Sequence, residues 1–246
     1  MTDFHESALF DYRVRVSPRA KNVSIHVSHH GDVEVVIPNG FDPNHVPDIV
    51  KRRQDWIIKT TKRLERDRQA IAPEPISALP ERIQLRSVAE EWNVIYQPAT
   101  GGETIASSSL TSDRQLQLKL WGATHSPDTC NRVLLRWLRR KAQMSLTPWL
   151  RQVSQEVALP HSRTTIRHQK TIWASCSSRK TISLNAKLLF LPSELVRYVF
   201  IHELCHTVHL NHSSRFWALV EEKEPNYRAL DQELRKGWRY VPGWAE

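Results

Sequence analysis

Apolar and polar residues alternate between Tyr12 and Pro38, in the segments YRVRVSP, NVSIHVS and DVEVVIP. Alternation with a period of two is typical of strands that bury one face. Gly31, in the segment HHGD between the last two runs, suits the turn that joins two strands. The pattern predicts an antiparallel hairpin or meander at the start of the chain.

A helical period replaces the alternation in FDPNHVPDIVKRRQDWIIKTTKRLERDRQ, residues 41–69. Asp42 suits the N-cap position of this helix and Pro43 its first position. Trp56 falls at helical spacing among apolar neighbours, which favours packing in the core. The three prolines of IAPEPISALPE, residues 71–81, then predict a linker or an extended excursion of the chain.

Three further strands are predicted in RIQLRSV, EWNVIYQ and RQLQLKLW, the last of them after the polar turn TGGETIASSSLTSD. From Ser126 a helical period returns, with Ser126 as N-cap, Pro127 behind it, Trp137 in the core and Pro148 expected to kink or divide the helix. RTTIRHQK and KTISLNAKLLFL indicate two strands around the loop WASCSSR.

Three helices complete the pattern, in PSELVRYVFIHELCHTVHLN, SSRFWALVEEKE and NYRALDQELRKGW, and Ser193 is the expected cap of the first. The fold class is therefore α+β, with an N-terminal antiparallel β-rich region and long basic helix before a C-terminal α+β unit. We expect domains at 1–75, 76–125 and 126–246, with 76–246 packing as one unit as the alternative.

Composition limits the class of protein. Three cysteines are an odd number and widely spaced, which argues against a disulfide framework and for a reducing compartment. No segment resembles a signal peptide or a membrane span, so we expect a cytoplasmic protein with no membrane partner. The oligomeric state is left open.

Basic residues exceed acidic ones by nine, and they concentrate in residues 51–68 and 132–141. Such stretches are candidate contacts to a polyanion such as nucleic acid, above all the basic helix of residues 51–68. A solvated helical face is the commoner explanation of the same pattern, and we favour it.

Four histidines and a glutamate lie within FIHELCHTVHLNH. His202 and His206 are four residues apart, so on a helix their rings point at one position, and Glu203 lies beside the pair. This HExxH arrangement is typical of two Zn²⁺ ligands with a glutamate as general base. A catalytic zinc also needs a third protein ligand and one open position.

Two histidines compete for the third ligand position. His209 shares the face of the pair, but it lies one turn too far along the helix. His212 can reach the ion only if the helix ends before it, and Asn211 suits a left-handed helix end, with Ser213 or Ser214 capping the next helix. The residues therefore favour His212, while surface histidines on an amphipathic helix stay the alternative.

The segments WASCSSRKTISLNAKLLFLPSELVRYVFI and HELCHTVHLNHSSRFWALV resemble the YgjP-like family of predicted zinc metallopeptidases, in the zincin group. The resemblance implies that His202, His206 and His212 bind Zn²⁺, that Glu203 is the catalytic base and that the C-terminal unit is zincin-like. Ala174 departs from the glycine that is usual in the family. The metzincin signature has the same histidine spacing, but no methionine follows His212, which excludes a metzincin Met-turn.

Other residues of the C-terminal half have weaker signals. Packing is favoured for Cys205, and a structural role over redox control for Cys176. Solvated surface is favoured for at least two of Glu221, Glu222 and Glu224, and the alternatives are a carboxylate ligand or a hydrogen-bond partner of a ligand imidazole. We expect four residues to fix the loop, strand and helix around the site, namely Trp173, Asn185, Phe216 and Trp217. Candidate contacts to the substrate or transition state are Trp173, Ser175, Arg215 and Tyr227.

Two functions follow from these observations. The first is a zinc metallopeptidase that cleaves a peptide or protein substrate, with a strand such as KTISLNA pairing with the extended chain. The second is a nucleic-acid-associated protein that acts on DNA- or RNA-bound proteins or uses its zinc only structurally. Salt-dependent DNA binding would distinguish the second function.

Overall fold

The computed structural model describes residues 3–6, 10–27, 31–69, 79–99 and 103–245. They contain five α-helices and three small mixed sheets, which confirms the α+β class. The chain divides into two compact units, 1–76 and 77–246. Most of the predicted linker IAPEPISALPE lies outside the described residues.

The sheet of the first unit contains the strands β1 (Asp3–Glu6), β2 (Asp11–Ser17), β3 (Ser24–Val27) and β4 (Val33–Pro38), in the order β1-β2-β4-β3. The strands β3 and β4 form the antiparallel hairpin predicted around Gly31, whose φ is +92°. The prediction of a wholly antiparallel region was wrong, because β2 and β4 pair in parallel. Alternation places Val14 and Val35 in the core but carries no information on strand direction.

A long helix packs on this sheet. Asp42 caps a 3-10 turn, Pro43–His45, and α1 follows over Val46–Gln69. Val50 and Ile57 point into the core with Val35. Trp56 was expected there too, but it is 47% exposed, because Ile57 takes the inward position and its neighbour on the helix points about 100° away.

The second unit begins with the strands β5 (Arg82–Leu85), β6 (Glu90–Pro98), β7 (Ile105–Leu110) and β8 (Leu116–Gly122), in the order β5-β6-β8-β7. Again the middle pair, β6 and β8, is parallel and the outer pairs are antiparallel. The strand β7 lies in the segment that was predicted to be a polar turn. It is a mostly exposed, serine-rich edge strand and therefore has no apolar alternation.

Helix α2 (Pro127–Glu156) covers this sheet, and the Ser126 side chain accepts a hydrogen bond from the backbone N–H of Thr129, as predicted. Trp137 is buried against Trp92, as expected. Pro148 does not divide the helix. The carbonyl that Pro148 leaves without a donor belongs to Met144, whose position is exposed, so solvent can take the place of the missing N–H.

The third sheet and the remaining helices surround the histidines. The strands β9 (Arg163–Arg167), β10 (Ala174–Cys176) and β11 (Thr181–Asn185) lie in the order β10-β11-β9, with β10 antiparallel and β9 parallel to β11. The helices α3 (Ser193–Cys205), α4 (Ser214–Lys223) and α5 (Tyr227–Leu234) follow. Pro192, not Ser193, is the N-cap of α3. Within the described ranges, no helix combines the length and the apolar character needed to cross a bilayer.

Candidate metal centre

Three imidazoles converge at the end of α3. The Nε2 atom of His212 lies 3.1 Å from Nε2 of His202 and 3.2 Å from Nε2 of His206. The possible ligand atoms of the three residues all lie within 4.8 Å of one another. His206 is buried, His202 is half-buried and His212 is exposed, so the group opens to the surface on the side of His212.

The end of α3 makes this convergence possible. The helix ends at Cys205 with His206 as its C-cap, and the backbone N–H groups of Val208 and His209 donate to the Cys205 carbonyl. The predicted ending at Asn211 was wrong, since the helix stops earlier and Asn211 is absent from the left-handed residues of the described chain. Ser213 caps α4 by accepting from the N–H of Phe216, so His212 lies in the short connection between the helices.

His209 contributes its backbone rather than its ring. The Nδ1–H of His206 donates to the His209 carbonyl over 2.9 Å, because a carbonyl can only accept. This bond places the lone pair of His206 on Nε2, which faces the other two rings. The His209 ring is not in the converging group. Sequence reasoning missed the carbonyl, since the backbone carries no residue-specific signal.

Two aromatic side chains of α4 form a wall of the site. Phe216 stacks on His206, with ring centroids 4.3 Å apart, and makes T-shaped contacts with His202 and His212. Trp217 stacks on His212 at 5.6 Å. These contacts hold the rings in position and limit the access of water to them.

Burial favours the neutral form of the two imidazoles on α3, those of His202 and His206. Burial, together with the neighbouring rings of His206 and His212, lowers the pKa of His202 to about 4. Burial also lowers the pKa of His206, although the hydrogen bond to His209 opposes this effect. Neutral imidazole is the form that binds a metal ion, so the site favours the state that a ligand needs.

Glu203 lies next to His202 on α3 and is 7% exposed. Its Oε2 atom is buried and has no hydrogen-bond partner among the described residues. Burial raises the pKa of Glu203 to about 8. A buried, unpaired carboxyl group is costly for a fold, so its presence directly after His202 on α3 calls for a functional explanation.

The strand β10 runs beside α3 and brings Cys176 close to Glu203. Burial and then the charge of Glu203 raise the pKa of the Cys176 thiol to about 11. Ser175 is half-buried in the same strand, opposite Ser183 of β11. The strand of KTISLNA is β11, which lies between β10 and β9. Both of its edges are therefore occupied, and it cannot pair with a further chain as expected.

The remaining candidates surround the site at greater distance. Trp173 stacks on Trp238 at 4.1 Å, directly before β10. Tyr227 is buried and stacks on the Trp217 ring at 5.5 Å, and Trp217 in turn stacks on His212. Arg215 is exposed in the first turn of α4, and its guanidinium has no polar partner in the described part of the chain.

Several other expected side chains hold the surrounding framework or the surface. Asn185 is fully buried, and its amide donates to the carbonyls of Gln169 and Ile172, which fixes the loop before β10. Cys205 is buried, and burial raises the pKa of its thiol to about 12. Glu221 pairs with Arg228, Glu222 pairs with Lys223, and Glu224 accepts from the N–H of Asn226. None of these glutamates belongs to the converging group.

A protein-family model matches most of the chain. The family model described as YgjP-like, metallopeptidase domain, matches residues 21–237. No curated protein matches the chain. Among solved structures, the crystal structure of the metallopeptidase zymogen of Pyrococcus abyssi abylysin is similar at 28% identity, over 35% of this chain and 87% of that chain, with a TM-score of 0.32.

Proposed function

Because the chain belongs to the YgjP-like family of metallopeptidases, we propose that it is a zinc-dependent peptidase with its centre at the end of α3. In this proposal the Nε2 atoms of His202, His206 and His212 hold Zn²⁺. The observation that carries the proposal is the convergence of these three atoms, with the buried, unpartnered carboxyl group of Glu203 on the residue that follows His202.

The donor set fits zinc. Imidazole nitrogens suit Zn²⁺, and three protein ligands are the usual number in a catalytic zinc site, which keeps a further position open. The hydrogen bond from Nδ1 of His206 to the His209 carbonyl orients the ring and leaves Nε2 available to the ion, as is usual for histidines that bind a metal. When bound, zinc supplies Lewis acidity that polarises the scissile carbonyl and acidifies water.

Glu203 is the proposed general base. Its carboxylate accepts a proton from the attacking water and returns it to the leaving nitrogen of the peptide bond. Burial alone disfavours the charged form, as the raised pKa of Glu203 indicates. A cation at the three imidazoles opposes this effect, because a nearby opposite charge lowers the pKa of a carboxyl group.

An extended substrate is proposed to pair with β10. This strand is an edge of its sheet and lies beside α3, so its free side offers backbone donors and acceptors close to Glu203. Ser175 lies at the middle of β10 and is the proposed backbone contact. Trp173 supports the start of the strand through its stacking on Trp238.

Arg215 of α4 and Tyr227 of α5 have different proposed roles. The exposed guanidinium of Arg215, three residues after His212, is the candidate for a contact to the substrate or to the developing oxyanion. Tyr227 is proposed to act behind Trp217, where its ring supports the position of His212 without a contact to substrate.

Removal and return of the metal test the proposal. A peptide library is incubated with purified protein, with protein treated with a chelator and with treated protein that has received one equivalent of Zn²⁺. Cleavage should disappear after chelation and return with zinc, with the same cleaved bonds. Cleavage that survives complete removal of the metal would show that hydrolysis does not depend on this centre.

A further inference from the structure

Helix α2 carries an unusual charge pattern. Between Asp128 and Glu156 it contains no acidic residue, and its cationic residues are Arg132, Arg136, Arg139, Arg140, Lys141 and Arg151. The chain continues without another acidic residue from Glu156 to Glu194. The carboxylate of Glu156 is paired with Arg197, at 3.0 Å. This part of the second unit therefore has a strong excess of positive charge.

The same helix lies beside two open strand edges. The strand β7 is the last strand of its sheet, and β9 is the last strand of the sheet that contains β10. Three surface depressions of 320, 390 and 460 Å³ follow α2, the first against β7 and the other two against β9. The first and second share Arg136 and Arg140, and the second and third share Arg163 and Thr164. We call this continuous series the α2 groove.

Each of the three depressions of the α2 groove has at least two cationic side chains in its lining. Among the residues that the structure describes, no carboxylate side chain lines any of the three depressions. Arg136 pairs with Glu103, and Lys141 with Glu90. The other arginines of the lining are exposed and make no ion pair with a carboxylate in the described ranges, namely Arg139, Arg140, Arg151 and Arg163. A groove that is lined by unpaired positive charges attracts a linear anion.

The spacing of the charges indicates the form of that anion. Fifteen residues separate Arg136 from Arg151, which is about 22 Å along a helix. Arg136, Arg140 and Arg151 lie within about 60° of one another around the axis of α2 and so share one face of the helix, whereas a duplex presents two phosphate strands about 12 Å apart across its major groove. Apart from Lys141 all of these cations are arginines, whose planar fork matches a phosphate with two hydrogen bonds. Apolar surface for a base is present at one end, where Ile105 and Met144 are exposed.

We propose that the α2 groove binds the sugar-phosphate backbone of a single-stranded nucleic acid, with Arg139, Arg140 and Arg163 at its centre. The length of the groove suits the lower end of the range of about 4 to 16 nucleotides that comparable grooves hold. This inference goes beyond the proposed peptidase and does not depend on it, since no residue of the groove belongs to the metal centre.

Binding of a labelled twelve-nucleotide single-stranded DNA to the full-length protein, followed by fluorescence anisotropy at several salt concentrations, tests the proposal. The variant R139Q/R140Q/R163Q should bind at least about tenfold more weakly at low salt. The slope of log K against log salt should become shallower by about 2, because each lost phosphate contact removes about 0.7. The control R82Q/K119Q/K236Q loses the same charge from exposed positions outside the groove and should bind within about twofold of wild type.

Further arms distinguish other ligands and other surfaces. Polyglutamate and inorganic polyphosphate serve as competitors, and a twelve-base-pair duplex as an alternative probe. A second variant reverses exposed basic side chains of α1 to glutamate, at Arg52, Arg53, Lys59 and Lys62. Cross-linking of a bromouracil-containing oligonucleotide to wild-type protein should map to peptides from residues 136–166, which tests the groove without any substitution.

Any of five results would overturn the proposal. The first is the absence of DNA binding by wild-type protein at low salt. The second is an equal loss of DNA affinity in the groove variant and its control, and the third is a loss of DNA affinity in the α1 variant alone. The other two are a duplex that binds as tightly as the single strand, and competition by polyglutamate or polyphosphate that equals competition by unlabelled oligonucleotide. Thermal unfolding of each variant verifies that the fold is intact.

Discussion

Replacement of Glu203 by glutamine changes one group at the proposed centre with little change of shape. The amide has nearly the size of the carboxyl group and can form hydrogen bonds, but it cannot accept a proton from water. The converging donor atoms belong to the three histidines and not to Glu203. We therefore expect Glu203→Gln to retain one zinc per chain and to lose peptidase activity.

Glu203→Gln should have two separate effects, one on the rate of cleavage and one on the stability of the fold, and the size of each can be estimated. Loss of a general base lowers the rate by about 10² to 10⁴. Independently, burial raises the pKa of Glu203 from 4.5 to about 8 in the metal-free protein, which corresponds to a cost on the order of a few kcal/mol for ionising this group in the folded state. The amide has no such cost, so the variant should fold at least as well as wild type and bind substrate without turnover.

The assay compares zinc-loaded wild type, Glu203→Gln and a matched control. Glu194→Gln makes the same chemical change at an exposed position of the same helix and should keep full activity. Zinc is measured by elemental analysis, and cleavage by mass spectrometry of a peptide library. Substrates should be captured on the inactive variant. Loss of zinc in Glu203→Gln would identify Glu203 as a ligand or structural partner, and near-normal turnover would refute its role as the base.

Three further predictions address the centre and its framework. His212→Ala should lose most bound zinc whereas His209→Ala should retain it, since only the backbone of His209 contacts a ring of the site; equal zinc contents would contradict the choice of third ligand. Between pH 4.5 and 8, metal-free wild type should lose stability relative to Glu203→Gln as pH rises, because the folded state keeps a proton on Glu203 that the unfolded state releases; parallel unfolding curves across this range would exclude a raised pKa. Phe216→Ala should cost about 3 to 5 kcal/mol of unfolding free energy and weaken zinc binding, since the fully buried ring packs on His206; chemical denaturation measures the first effect.

Local chemistry allowed much of the fold to be predicted. The caps at Asp42, Ser126 and Ser213 lie where side chains can satisfy the first N–H groups of a helix. The spacing of His202 and His206 on one helix face follows from the helical period alone. These features depend on residues within a few positions of one another, so a single sequence contains the information that specifies them.

Other features depend on distant partners and were missed. The parallel pairing of β2 with β4 and of β6 with β8 is set by how whole strands assemble, and apolar alternation is the same in either direction. The strands β7 and β10 are short or polar edges that join a sheet through their backbone, so their side chains have no strong strand pattern. Ser193 is a good cap by residue type, but it is the first residue of α3, and the N-cap position is one residue earlier, at Pro192.

The early end of α3 has two consequences for the proposed centre. In a continued helix the His209 carbonyl would accept from the N–H four residues later and point along the axis, away from the ring of His206. Because the helix stops at Cys205, this carbonyl turns back and accepts from Nδ1 of His206. The same stop lets the chain reverse so that His212 meets the other two rings. One change of backbone direction thus supplies both the third imidazole and the hydrogen bond that orients the second, so a substitution that extends the helix past His206 should disrupt both.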